Sequence, residues 1–244
     1  MDRTEANIIV NHHFELYRTL ASISSSDKGI DYAITPENSF PNFIFNEAEN
    51  VDVGLIKKKI EANQLPPFWI TSSKQFATLL NQNGFKLVRA WPLLTMNKNE
   101  LIEPKKVEGF VLEKVANKKE LLAWKEIVEQ VYNYKFKIET LNNWLTNPKI
   151  DLFLGKIEDD NVSTVLNFYH NNIVGGHLVS TPPKYRKKGV GAQTFFTALK
   201  HAFDNNCVKA VASSTELGLN AWQKIGYTVL DDKLYINWLL GKMI

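Results

Sequence analysis

Hydrophobic positions recur along this chain with two periods, and the change from one to the other predicts a succession of helices and strands. Between Ala6 and Ile23, the residues Ile8, Ile9, Phe14, Leu16, Tyr17, Leu20 and Ile23 repeat at helical spacing, so one face can be buried. Ser24 to Gly29 reads as a turn. Ile30 to Ile34 and Phe40 to Phe45 read as strands, and Val53 to Ala62 as a helix with Leu55, Ile56 and Ile60 inward and Lys57 to Lys59 on its wet side. Pro66-Pro67 closes that segment. Phe68 to Thr71 begins the next strand, and Phe76, Leu79 and Leu80 mark a helix that stops at Asn83-Gly84, a good C-terminal cap. Phe85 to Met96 follows as extended chain interrupted by Pro92.

In the second half, Gly109 to Val115 alternates as a strand, and Lys118 to Tyr132 carries Leu121, Leu122, Trp124, Ile127, Val128 and Val131 at helical spacing. Ile138 to Leu145 is a second helix, ended by Asn147-Pro148. Strands are expected at Ile150 to Ile157 and Val162 to Tyr169, joined by a turn at Glu158 to Asn161, and a third at Ile173 to Thr181. Pro182 and Pro183 cannot donate to a ladder, so that third strand should stop there. A long apolar helix follows from Val190, then a strand at Val208 to Ser213, a helix at Leu217 to Ile225, and strands at Thr228 to Leu230 and Leu234 to Leu239 joined by Asp231-Asp232. The order from Gly109 onward is β-α-α-β-β-β-α-β-α-β-β, an α/β arrangement of the α+β kind with a mixed sheet.

Two segments repeat in order. Trp69 to Ser73, a helix, then Asn83 to Val88 mirrors Val211 to Ser214, a helix, then Ile225 to Leu230. The first 100 residues therefore read as a diverged copy of the second half, with domains at 1–100 and 106–244 and a polar junction from Asn97 to Lys106 that contains Pro104. No glycine-rich basic turn appears before Pro66, so the first copy is expected to lack a phosphate loop.

The chemistry concentrates between the strand at Ile173 and the helix at Val190. Lys184, Tyr185, Arg186, Lys187 and Lys188 run into Gly189-Val190-Gly191. Glycines let backbone N–H groups converge on an anion, the first turn of a helix leaves N–H groups unpaired, and the helix dipole favours negative charge there. A pyrophosphate is the natural occupant. Two better-known phosphate loops do not fit: G-x-x-x-x-G-K-[ST] is absent, and Gly189-Val190-Gly191 lacks the third glycine of a dinucleotide fingerprint.

The motif Arg186-Lys187-Lys188-Gly189-Val190-Gly191 resembles the [Q/R]-x-x-G-x-[G/A] signature of the GCN5-related N-acetyltransferases, and Pro183-Lys184-Tyr185-Arg186 agrees with its usual flank. A second segment, Ser214-Thr215-Glu216-Leu217-Gly218-Leu219-Asn220-Ala221-Trp222-Gln223-Lys224-Ile225-Gly226-Tyr227, is similar to the family's Ala-Ser-x-x-Gly-x-x-x-Tyr-x-x-x-Gly-Phe, with Trp222 where tyrosine is usual. The resemblance extends from Lys106 to the C-terminus. It implies acetyl-CoA as co-substrate, lying between the strand that ends at Thr181 and the one that ends at Ser213. Backbone groups of Val179 and Thr181 would hold the pantetheine arm. Arg186, Lys187, Lys188, Gly189, Val190, Gly191 and Ala192 would hold the pyrophosphate, with Lys187 at a position where the family often has glycine. The backbone N–H near Val179 would stabilise the oxyanion. Trp222 would pack against the pantetheine arm or the core, since an indole cannot serve as the acid. Thr215 and Ser214 are candidates for assisting thiolate release. His177, two residues before Val179 and so on the same side of a regular strand, is the candidate base; Glu216 and Tyr169 are others. No metal is implied.

Composition narrows the partners. The chain has 244 residues with a net charge of +3, too near balance for the basic footprint of a nucleic-acid binder. His12 and His13 are adjacent and cannot share a helix face, which disfavours a metal site. The lone Cys207 allows no internal disulfide, no apolar run reaches about 18 residues, and the charged opening (Asp2, Arg3, Glu5) is unlike a signal peptide, so a cytoplasmic protein is expected with no membrane partner. Acetyl transfer to a primary amine by direct attack on the thioester is the expected function, and a non-catalytic acyl-CoA-binding module is the alternative. A monomer or a homodimer fits either.

Overall fold

A computed structural model of the chain describes residues 3–35, 39–132 and 134–239, so Asp2 lies outside it. The chain divides into two compact units, Met1–Leu93 with Leu230–Ile244 and Leu94–Val229.

The first unit opens with α1 (Arg3–Leu20), which buries Ile9, Leu16, Tyr17 and Leu20 together with His12 and His13. A hairpin of β1 (Ile23–Asp27) and β2 (Ile30–Ile34) turns at Lys28-Gly29, both at positive φ (51° and 81°), as two-residue hairpin turns demand. The serines expected in a turn thus form an edge strand. Its ladder to β2 uses only main-chain groups, leaving Ser24, Ser25 and Ser26 exposed, and Ile23 is a strand residue rather than the end of the helix. Then come β3 (Phe43–Phe45), α2 (Val53–Glu61), β4 (Phe68–Thr71), α3 (Lys74–Gln82) and β5 (Phe85–Asn97). Val53, Ile56 and Ile60 are the inward residues of α2, and Leu55 stands on its outer side. β5 runs through Pro92 unbroken, although a proline has no N–H to give to a ladder.

β1, β2 and β3 pair antiparallel, while β3 and β4 run parallel through the single pair Ile44 and Trp69. The start of α2 is closed by its own chain: the Asp52 carboxylate accepts the Leu55 N–H at 2.9 Å. The Thr71 hydroxyl at the end of β4 donates to Glu47, just beyond β3, and burial pushes that carboxyl above the usual range.

The second unit opens with a strand and two helices before its run of three antiparallel-linked strands. β6 (Phe110–Lys114) is followed by α4 (Lys118–Tyr132), α5 (Ile138–Leu145), β7 (Ile150–Ile157), β8 (Asp160–His170), β9 (Ile173–Ser180), α6 (Val190–Asp204), β10 (Lys209–Ser213), α7 (Glu216–Lys224) and β11 (Thr228–Leu239). β6, β7, β8 and β9 pair antiparallel, and β9 with β10 is parallel. α6 covers one face over a core of Val174, Phe195, Leu199, Phe203 and Tyr227. α4 and α5 supply nothing to that core yet contact β7, β8 and β9, so they cover the opposite face.

β11 is one strand where two joined by a turn at Asp231-Asp232 were expected. It starts in the second unit and from Leu230 belongs to the first, where it pairs antiparallel with β4, Tyr235 opposite Thr71. β5 does the converse, passing into the second unit at Leu94. Asp231, Asp232 and Lys233 are exposed at that change of unit, which is why they imitate a turn in the sequence. Among the described residues, no helix is long and apolar enough to cross a membrane.

Candidate active site

The site begins with a fault in β9. Leu166 pairs with His177 and Thr164 with Ser180, so two steps on β8 answer three on β9. This is a β-bulge, and Leu178 within it has φ 50°. The displaced Leu178 carbonyl accepts from the hydroxyls of Thr164 at 3.1 Å and Ser180 at 3.0 Å, so it is not left unsatisfied.

The bulge has two consequences. Val174 and Val179 both pack into the core under α6, although five positions apart, which a regular strand forbids. His177 therefore does not share the side of Val179 as simple alternation expects. Val174 and the Phe195-facing Gly176 lie toward α6, so His177 lies toward the face of α4 and α5. The second consequence is separation: β10 pairs with β9 only at Ile173, Val174 and Gly175, while β9 runs on to Ser180 and β10 to Ser213. The parallel strands open, and main-chain groups beyond Gly175 line one side of the opening.

Gly176 is needed beneath it. A Cβ there would lie 1.9 Å from Phe195 Cε2. Gly176→Ala is expected to destabilise the protein by about 1–3 kcal/mol through overpacking, with much of the loss recovered in Gly176→Ala/Phe195→Leu. Urea midpoints of the two variants against the parent measure this, and equal midpoints for all three would contradict the packing.

α6 begins at the mouth of the opening. Gly189 caps it in the left-handed conformation (φ 84°) and contributes no side chain. The Gln193 N–H is the first to reach a helical carbonyl, that of Gly189 at 3.0 Å, so the amides of Val190, Gly191 and Ala192 have no such partner. Lys187 also has positive φ, 61°, a conformation that favours glycine and that a lysine tolerates at a cost of about 1 kcal/mol. The loop is braced from outside. Arg186 Nε donates to the Thr181 carbonyl at 2.8 Å, the Tyr185 hydroxyl donates to Asp160, and Lys184 lies over the Tyr185 ring at 4.5 Å. Tyr185 and Lys184 together hold the Asp160 carboxyl below its usual range. Part of the basic run thus also braces the loop, and all four of its charges, Lys184, Arg186, Lys187 and Lys188, are exposed, with Lys188 also over the Tyr185 ring at 5.9 Å.

No protein-family model and no curated protein sequence matches the chain. Solved structures do. It is similar to a GCN5-related N-acetyltransferase from Kribbella flavida at 17% identity, covering 96% of each chain with a TM-score of 0.75. It is also similar to one from Sphaerobacter thermophilus (13% identity, 92% and 84% covered, TM-score 0.61) and to a putative GNAT-family acetyltransferase from Novosphingobium aromaticivorans (10%, 95% and 96%, 0.60). The chain has the GCN5-related N-acetyltransferase fold. With the Kribbella protein the likeness spans both units, not the second alone.

Within this acetyltransferase fold the remaining expected residues take distinct places. Trp222 is half-buried and meets Phe195 edge-on at 4.6 Å. Gly218 makes room for it: a Cβ there would fall 2.7 Å from the indole Nε1 and 2.9 Å from Ser214 Oγ. Thr215 is exposed just before α7, its carbonyl accepting from Ser214 Oγ and from the N–H groups of Gly218 and Leu219. Tyr169 donates to Asp151 at 2.8 Å and pairs with Val174, five positions along β9 from Val179, so it stands away from the opening. Burial and Asp151 raise its phenol pKa.

One residue absent from the sequence reading enters here. Tyr132, at the end of α4, donates its hydroxyl to the Val179 carbonyl at 3.1 Å. The helix end was legible in the sequence, but its meeting with β9 depends on how α4 crosses the sheet, and no spacing records that.

Proposed function

We propose that this protein is an acetyl-CoA-dependent N-acetyltransferase that transfers acetyl to a primary amine. The observation that carries this reading is the pairing of open amides at the start of α6 with the parted strands β9 and β10, one suited to a pyrophosphate and the other to an extended amide-bearing arm. Val190, Gly191 and Ala192 hold the pyrophosphate through their N–H groups, with Gly189 keeping the approach clear and Lys187 and Lys188 adding charge. Main-chain groups of Val179 and Thr181 hold the arm, and the Thr181 carbonyl shares its lone pairs with Arg186. Trp222 backs the arm through Phe195.

Bound acetyl-CoA supplies an activated acetyl group: the amine nitrogen bonds to the carbonyl carbon, the C–S bond breaks, one proton leaves nitrogen as the amide forms, and sulfur departs as a thiolate that ends as the thiol. The Val179 N–H stabilises the oxyanion. His177, on the α4 face of β9, takes the proton that frees the amine from its ammonium form. Thr215 stands at the far side of the opening, where it orders water at the leaving sulfur. The first unit, whose phosphate position is closed by Asp52, is a diverged copy without a cofactor site.

Thermal shifts with acetyl-CoA, CoA and ATP test the reading. Stabilisation by both CoA species and not by ATP is expected, growing with ligand as a single-site equilibrium requires, together with amine-dependent thiol release. His177→Ala should lower that rate and change its pH profile. Equal shifts with ATP, or none with acetyl-CoA, would remove the assignment.

A further inference from the structure

Tyr132 is tied to Val179, the residue whose N–H the proposed transfer uses, and yet the residue is 38% exposed. Tyr134 stacks on it, with ring centroids 5.8 Å apart and planes 16° from parallel. The pair is anchored from behind. Tyr134 meets Phe136 edge-on at 5.9 Å, Phe136 meets Trp144 at 5.3 Å, and Trp144 meets Trp124 at 6.5 Å, with Phe136, Trp144 and Trp124 all buried. An aromatic ladder thus runs from the core between α4 and α5 to the partly exposed residue Tyr132 beside β9, whose hydroxyl end is turned in to Val179. Desolvation of the hydroxyl ends raises both phenol pKa values, Tyr134's to about 12, so neither ring carries charge near neutrality.

The charged groups nearby are otherwise engaged. Glu129 on α4 pairs with Lys125 at 2.8 Å and with the exposed Lys135 at 3.9 Å, and accepts the Phe136 N–H. The open surface beside Val179 is therefore mainly aromatic, and the charge that reaches the Tyr132 hydroxyl is the Arg186 guanidinium, itself tied to the Thr181 carbonyl. It lies on the α4 side of β9, the side to which the bulge turns His177.

We propose that the stacked Tyr132–Tyr134 pair is the acceptor wall and selects primary amines that carry a planar aromatic ring a short linker from the nitrogen. The inference rests on the acetyltransferase reading for its reaction, but the wall itself is a binding surface that can be read without transfer. Aromatic rings gain from offset or edge contacts beyond what their area alone provides. A saturated ring of equal carbon count is more apolar and cannot make those contacts, so it separates stacking from simple burial.

The test compares 2-phenylethylamine with 2-cyclohexylethylamine. The parent should acetylate the phenyl compound with kcat/KM about tenfold higher, the scale of an aromatic pair's added interaction. Tyr134→Leu should bring that ratio to about one, and Tyr134→Phe should preserve it. Calorimetric binding of the same two amines to the cofactor-free protein reads the wall independently and should show the same order. Equal or reversed preference in the parent overturns the inference, as does turnover of neither amine by a protein that acetyl-CoA stabilises. Absence of any acetyl-CoA shift, with the calorimetric preference intact, would instead overturn the acetyltransferase reading and leave the wall standing.

Discussion

Gly191→Glu is expected to abolish acetyl-CoA binding while leaving the free protein as stable as the parent. The argument comes from the chain itself. In the first unit a carboxylate already sits at a helix start, where Asp52 accepts the Leu55 N–H. A carboxylate at the start of α6 would satisfy the same kind of open amide and answer the same dipole, a favourable placement of roughly 0.3–1 kcal/mol. Space permits it: a Cβ on Gly191 would meet Thr181 Oγ1 at 3.4 Å, an ordinary contact. The carboxylate would also occupy the pyrophosphate position and repel it. Hydrogen bonds to charged groups are worth about 1.5–3 kcal/mol each, so losing two of them weakens binding at least 100-fold. Gly189→Glu should bind as poorly but also lose stability, because its φ of 84° suits glycine alone. Calorimetric titration with acetyl-CoA beside a thermal melt of each free variant checks both halves. Gly191→Glu that folds and binds like the parent would move the phosphate site elsewhere.

The basic glycine turn was legible in the sequence because each of its requirements is local. A strand stop, a left-handed cap and an apolar helix leave marks at fixed neighbouring positions, here Pro182, Gly189 and the run from Val190. The helices α4 and α5 were equally plain, since their apolar spacing is unbroken. The bulge at His177 to Ser180 left no such mark. It is set by Thr164 and Ser180 converging on one carbonyl, a contact between strands, and it reverses the side of every residue that follows. That single step is why His177 was placed beside Val179 on one face and lies on the other. Tyr132 was missed for the same reason: its role depends on a contact between α4 and β9, 47 positions apart. Asp231-Asp232 misled in the opposite direction. Solvent exposure in mid-strand gives turn-like residues, and only the reassignment of Leu230 onward to the first unit explains why the strand continues.

Acidification should weaken the first unit through His13, and His13→Phe should remove that weakness. His13 is 2% exposed on α1, its Nδ1 is 2.9 Å from the Ile9 carbonyl, and its ring meets Tyr17 edge-on at 6.5 Å. Burial pushes its pKa from 6.5 down to about 4, with the Ile9 carbonyl offsetting only part of that. The folded chain thus refuses a proton that the unfolded chain accepts. Stability is complete above pH 6.5 and declines as pH falls toward about 4. At 1.36 kcal/mol per pKa unit the full loss is about 3 kcal/mol. Phenylalanine keeps the ring volume and the contact with Tyr17, and the Ile9 carbonyl keeps its helical partner, so the variant should cost only about 1 kcal/mol at pH 7.5. Urea midpoints between pH 7.5 and 4.5 should therefore fall more steeply in the parent, and the two curves should approach or cross on the acid side. Parallel curves across that window would mean that His13 gains its proton without opening α1. Its burial would then have no bearing on acid stability.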